Sequence, residues 1–243
     1  YKGPPMMMIN VAHELARTLR AFGDPRADEA HGVAEESMET VMRDFITEDY
    51  VSHEKIGLDN RFVTDTMVGR YVNPGHTIED MWFIIHQAQV TGNTAIIEKA
   101  LKVIKKTFDI GWDAEYGGML LFVDRDGGQP KGDIHETDKG AMLDKILNDW
   151  SNKLWWVHSE TLYSTLLAYS ISKDADFLKL YEKTHAYTFK TFPHPNADVG
   201  EWIQIRNRMG EPENKVVALP VKDPFHIVRN VIYIIRTLDG LEG

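Results

Sequence analysis

Two histidines stand at the starts of apolar, helix-periodic runs, each just after a proline: His76 in Asn73-Pro74-Gly75-His76 and His226 in Asp223-Pro224-Phe225-His226. Imidazole exchanges a proton near neutral pH. If the two helix starts face one another across a pocket, a C–H bond held there could lose a proton to one ring and regain one from the other. Glu79 lies three residues after His76, on the same side of the first helical turn. It could orient the imidazole and raise its basicity; a simple helix cap that complements the dipole is an equal reading. Arg229 stands three residues after His226 and could bind a hydroxyl or a developing oxyanion. In isolation a salt bridge is the better reading for Arg229, and Lys222 is ambiguous in the same way.

Three further clusters could line such a pocket. Trp155-Trp156 followed by Glu160 places aromatic faces one turn from a carboxylate, as a sugar ring with its flat C–H face and hydroxyls would require. Adjacent helical side chains point about 100° apart, so one tryptophan is expected in the core and the other elsewhere. The loop Trp112-Asp113-Ala114-Glu115-Tyr116-Gly117-Gly118 is either a pocket rim bearing Trp112 and Glu115 or a tight turn that needs its glycines. Gly200-Glu201-Trp202 has the same character. Asp133, His135, Glu136 and Asp138 read as a solvated charge cluster, and no metal site is expected. Among the other histidines, His13, His86, His158 and His185 fall in helical stretches and read as structural; His31, His53, His135 and His194 read as surface or loop residues. The Met6-Met7-Met8 run is expected to pack a core or pocket wall.

The elements that must position these groups are mostly helical. Apolar periodicity predicts helices over 6–22, 26–45, 77–91, 94–109, 139–148, 153–172, 176–190 and 225–238. Strand-like stretches are expected at 61–63, 69–72, 117–124, 201–207 and 215–219. Helix pairs followed by glycine-rich excursions suggest turns of an α/α toroid with the excursions on one rim, read as a single domain over 1–243. About seven substantial helices are expected, an odd number for a ring, so part of the ring should be missing. Tyr1 stands where a complete chain would carry Met, and the N-terminus is expected to have been lost.

Bulk properties narrow the function classes. The 243-residue chain is 43% hydrophobic and 26% charged, ordinary for a globular protein. Its net charge of −10 argues against nucleic acid and anionic membrane surfaces as partners, and no apolar run approaches the roughly 20 residues a bilayer requires. The absence of cysteine excludes disulfides and thiolate metal sites and is compatible with a reducing cytosol.

Taken in order, Pro74-Gly75-His76-Thr77-Ile78-Glu79, Gly111 to Gly118, Trp155-Trp156 with Glu160, Gly200-Glu201-Trp202 and Lys222-Asp223-Pro224-Phe225-His226 with Arg229 resemble the N-acylglucosamine 2-epimerase family. That family includes cellobiose 2-epimerases and aldose–ketose isomerases. The resemblance implies an (α/α)6 barrel and two acid–base histidines, carried onto His76 and His226, with Glu79 supporting the first. It implies sugar 2-epimerisation through an enediol or enediolate, no required cofactor and no metal, and it allows a nucleotide effector. Family members are longer at the N-terminus, and their pocket arginine has no counterpart here, so the chain corresponds to a C-terminal portion. Pro5-Met6-Met7-Met8-Ile9-Asn10 resembles the N-acylglucosamine branch more than the cellobiose branch, which places a histidine on this helix; His13 is offset from that place. A glycoside hydrolase using two of Glu115, Glu160 and Glu201, or a non-catalytic sugar- or protein-binding fragment, are the competing classes. An open ring would expose an apolar face and favour a homodimer.

Overall fold

The structure, a computed structural model, describes residues 1–215 and 225–242. Lys222 and most of the 215–219 stretch lie outside the described residues.

Helices are laid down as hairpins. Helix α1 (Gly3–Ala21) carries Pro4 and Pro5 in its first turn, where missing N–H groups cost nothing because no intrahelical acceptor is available. Helix α2 (Ala27–Thr40) packs against it and runs into a π-turn at Val41–Phe45. After the one-turn α3 (Met67–Arg70), the second hairpin pairs α4 (Pro74–Thr91) with α5 (Thr94–Gly111). Its turn is set by Gly92 at φ 68°, a left-handed position that suits glycine, and by Asn93, whose side chain accepts from the Ile96 amide. The short α6 (Ala141–Asp149) precedes the third hairpin, α7 (Trp155–Ser172) and α8 (Ala175–Thr191). Helix α9 (Ile227–Glu242) lies against α7.

The inner layer runs α1, α4, α7, α9, each packed on the next, while α2, α5 and α8 cover the outside. Helices α4 and α7 are buried almost all round, whereas α5 and α8 bury one face. The main core joins Met6 and Ile9 of α1, Met81 to Ile85 of α4, and Tyr163 and Leu167 of α7. Met7 and Met8 are exposed, so only the first of the three methionines fills the core. The terminal inner helices leave apolar rows in solvent: Met7, Met8, Val11 and Leu15 on α1, and Val228, Val231, Ile232 and Ile235 on α9.

Two minimal antiparallel ladders fasten the entries of the two central inner helices. Strand β1 (Tyr71–Val72) pairs with β2 (Val123–Asp124), immediately before α4. Strand β3 (Lys153–Leu154) pairs with β4 (Ile205–Arg206), immediately before α7, and the Trp155 amide donates to the Gln204 carbonyl at 3.0 Å. The expected strands shrink to these pairs because their backbone groups find other partners. In 117–124, Leu120 donates to Gly111 and Leu121 to Asn152. Residues 61–63 contribute only a bridge from Phe62 to Ile56. Met67–Arg70 is helical because Thr66 caps it, its side chain accepting from the Gly69 amide.

Gly75 is where α4 and α7 meet most closely. A Cβ there would stand 2.6 Å from the Trp156 ring and 2.8 Å from Val157 Cγ2. Gly75→Ala should therefore cost about 1–3 kcal/mol by overpacking and displace the Trp156 indole. Thermal unfolding and indole fluorescence check this; an unchanged midpoint with an unchanged emission maximum would refute the close approach.

Candidate active site

Each histidine is held by a buried carboxylate through Nδ1. Asn73 caps α4, its side-chain oxygen accepting from the His76 amide at 3.2 Å, and Pro74 follows it in the first turn. The His76 ring is thereby presented at the helix start, with its Nδ1 3.1 Å from Glu54 Oε2. Glu54 Oε1 is in turn 3.0 Å from Lys2 Nζ. That ammonium is completely buried; it donates to Ser52 Oγ at 2.9 Å and to Thr77 Oγ1 at 3.4 Å, and lies 3.9 Å from Asp80.

His226 stands just before α9, its Nδ1 2.7 Å from Glu160 Oε1 and 3.6 Å from Glu79 Oε1. Arg229 donates to the same two oxygens, at 2.7 Å to Glu160 and 3.2 Å to Glu79. Trp82 Nε1 donates to Glu160 Oε2 at 2.7 Å. The guanidinium is stacked 3.7 Å from the Phe225 ring centroid and 4.6 Å from that of Trp82. Ser159 Oγ donates to the His226 carbonyl and accepts from Asn230, which ties α7 to the entry of α9. Burial and then the charge of Glu160 push Glu79 well above the usual carboxylate range, against the pull of Arg229. Glu79, Glu160 and His226 are spaced closely enough to hold a metal ion, but Arg229 already supplies the positive charge that faces both carboxylates.

One indole joins the two halves. Trp156 lies 5.6 Å from the His76 ring and 5.1 Å from the His226 ring, centroid to centroid. With His76, Glu54, Tyr71, Asn73 and Phe122 it lines a cavity of about 580 Å³.

The structure redistributes several residues singled out in the sequence. Glu79 does not support His76; Glu54 does, because Glu79 turns into the barrel interior toward Arg229 and His226. Glu160 is fully buried and occupied by His226, Arg229 and Trp82, so it holds protein groups rather than an open subsite. Arg229 bonds both carboxylates through Nη2 and Asn230 through Nε, while its buried Nη1 has no hydrogen-bond partner among the described residues. Trp155 is the tryptophan in the core, edge-on to His226, and Trp156 is the one facing the cavity. Trp112 and Glu115 belong elsewhere: Trp112 stacks on Phe108 beneath Lys183, and Glu115 pairs with Arg208 at 3.2 Å. His53, expected at the surface, is buried against the Gly69 carbonyl. His158 is a core residue whose ring bonds Leu154 and Met119 and whose pKa burial lowers to about 3.

No motif or spacing in the sequence marks Lys2, Glu54, Asp80 or Trp82. Lys2 and Glu54 sit in irregular segments without periodicity, and their sequence distance from His76 carries no pairing signal. Asp80 and Trp82 follow His76 on α4, where only knowledge that the helix is enclosed would have marked them.

A family model describing N-acylglucosamine 2-epimerase matches residues 10–229. The mouse and human N-acylglucosamine 2-epimerases are 31% and 28% identical to the chain over 93% of its length. The chain spans about half the length of these curated relatives, 49% and 48% respectively. Among solved structures, a cellobiose 2-epimerase from Bacillus thermoamylovorans superimposes with a TM-score of 0.69 at 19% identity, over 94% of this chain and 52% of that one. A D-mannose isomerase gives 0.70 at 15% identity, over 94% and 56%. These likenesses establish the α/α-barrel fold, of which the chain supplies an arc. Together with the family match over most of its length, they show that this chain belongs to the N-acylglucosamine 2-epimerase family.

Proposed function

We propose that this chain carries the two-base face of a sugar 2-epimerase that interconverts N-acylglucosamine and N-acylmannosamine. The observation that carries the reading is the pair of imidazoles, each bound through Nδ1 to a buried carboxylate and both lying against one indole. A carboxylate at Nδ1 keeps the proton on that nitrogen and makes Nε2 the basic one. In the open-chain sugar, one imidazole takes the C2 proton as the C1 carbonyl becomes an enediolate oxygen. The other imidazole, protonated, returns a proton to C2 from the opposite face, and the carbonyl reforms. Trp156 offers the ring face against which the sugar's C–H groups pack. The N-acyl substrate pair is favoured over cellobiose or mannose because the relatives near 30% identity carry that name, while the other two likenesses rest on fold.

The proton transfers require no cofactor, so a nucleotide would act as an effector and not as a reactant. The reading also takes the protein to be cytoplasmic, and has two chains associating through the apolar rows on α1 and α9. Hydrolysis is the weaker reading, because two of its three candidate carboxylates are bound to protein groups: Glu160 to His226, Arg229 and Trp82, and Glu115 to Arg208 away from the cavity.

Lys2 faces two carboxylates and serves them unequally. Burial alone would raise Glu54, but Lys2 and His76 overcome it and hold its pKa at about 2. Burial raises Asp80 to about 7, with Lys2 opposing and Glu54 adding to the shift. Glu54 is thus the ionised partner of His76 at neutral pH, while Asp80 titrates there.

Three outcomes follow. In heavy water, N-acetylmannosamine should exchange its C2 proton for deuterium, followed by NMR, and His76→Ala and His226→Ala should each abolish the exchange; exchange that persists in either variant refutes the two-base scheme. Glu54→Gln should lower kcat by about 10–100-fold with KM little changed, as loss of a histidine's carboxylate partner does. An equal rate in that variant would leave Glu54 with a purely structural part. Asp80, raised when folded, contributes stability that is present below its ordinary value of 3.8 and lost as pH rises through about 7. Asp80→Asn should therefore match the parent's melting temperature near pH 4 and exceed it increasingly toward pH 8, by about 2–4 °C per kcal/mol relieved; a constant offset across that range would contradict the assignment.

A further inference from the structure

A second cavity, of about 490 Å³, lies away from the histidines, between the end of α8 and the β4 turn. Its polar lining comes from Tyr116, Tyr187, Lys190, Thr191 and Arg206. Arg206 is 93% buried, at 7% relative exposure, and its Nε is enclosed without an acceptor. Among the described residues it has no carboxylate partner.

The acids nearby are already committed. Asp113 takes Arg208 at 2.9 Å and Lys153 at 3.3 Å, Glu115 takes Arg208, Glu211 accepts from Asn207 at 2.9 Å, and Glu213 faces Lys215 at 2.9 Å. Lys190, exposed at the cavity's edge, likewise has no ion-pair partner among the described residues. A guanidinium withdrawn from water without an anion is costly, and native proteins seldom leave such a donor unused. Its planar fork suits an oxyanion held by two parallel bonds.

We propose that this cavity binds a compact oxyanion, the phosphate or carboxylate group of a small molecule, between Arg206 and Lys190, with Tyr116 and Tyr187 flanking the remainder of the ligand. The site is independent of the sugar chemistry: its lining shares no residue with the His76 cavity. It is nevertheless coupled to that region through the backbone, because Arg206 pairs with Lys153, two residues before Trp155.

The test is calorimetric titration of the full chain with inorganic phosphate, and separately with acetate, at constant ionic strength balanced by chloride. Saturable binding with one site per chain is expected for at least one of them, and the anion that binds identifies the group. Arg206→Gln should weaken it at least tenfold, Lys190→Ala several-fold, and His76→Ala not at all. Should Arg206→Gln fail to fold, the exposed Lys190→Ala decides, alongside the anion-dependent rise in melting temperature of the parent. Absence of saturable heat with both anions, or unchanged affinity in the Arg206 and Lys190 variants, overturns the proposal. Loss of binding in His76→Ala would overturn it too, by placing the anion in the other cavity.

Discussion

The enclosure of α4 and α7 governs the rest of the structure. These helices have almost no solvent face, so any acid or base they carry has to be neutralised by a group that another element brings in. Glu79 and Asp80 on α4 and Glu160 on α7 are such groups. Their partners arrive from remote positions: Lys2 from the start of α1, Arg229 from the first turn of α9, and Trp82 from across the α4–α7 contact. Assembly of the inner layer and assembly of the charge network are therefore one event.

The same constraint gives the two imidazoles their carboxylates. A buried acid that retains one cation and one further donor holds a histidine ring in a single tautomer and orientation. Glu54 achieves this with Lys2, and Glu160 with Arg229 and Trp82. The second acid in each cluster, Asp80 or Glu79, lies farther from the shared cation, and burial raises its pKa above the usual carboxylate range. Each half thus places two buried carboxylates around a single cation. Trp156 lies against both imidazoles, and Gly75, beneath that indole, cannot carry a side chain without moving it.

Short ladders do work that longer sheets would do in another fold. Strands of two residues cannot stabilise much alone, yet β1 and β3 each end where an inner helix begins. They fix the direction in which Asn73, His76, Trp155 and Trp156 enter the barrel. The glycine-rich excursions between hairpins bring β2 and β4 back to those entries, which accounts for the unusual residues at the starts of α4 and α7.

What the sequence determined by itself is whatever depends on local order. The seven long helices among the described residues, the proline- and asparagine-marked start of α4, the Gly92-Asn93 turn and the division of labour between Trp155 and Trp156 all follow from spacing along the chain, as does the placing of His76 and His226 at helix starts. Only the tertiary structure decided which carboxylate holds which histidine. Glu79 is three residues from His76 and shares its side of the helix, but α4 is enclosed, and the side chain turns to the cation available inside. Glu54, twenty-two positions away in an irregular segment, reaches His76 because the β1 entry and Lys2 bring it there. Trp112 and Glu115 left the site for the corresponding reason: their loop is held by Lys183, Tyr187 and Arg208, contacts made across the barrel wall and invisible in the order of residues. Backbone periodicity is a local property, whereas the neutralisation of buried charge depends on which remote group comes within about 3 Å.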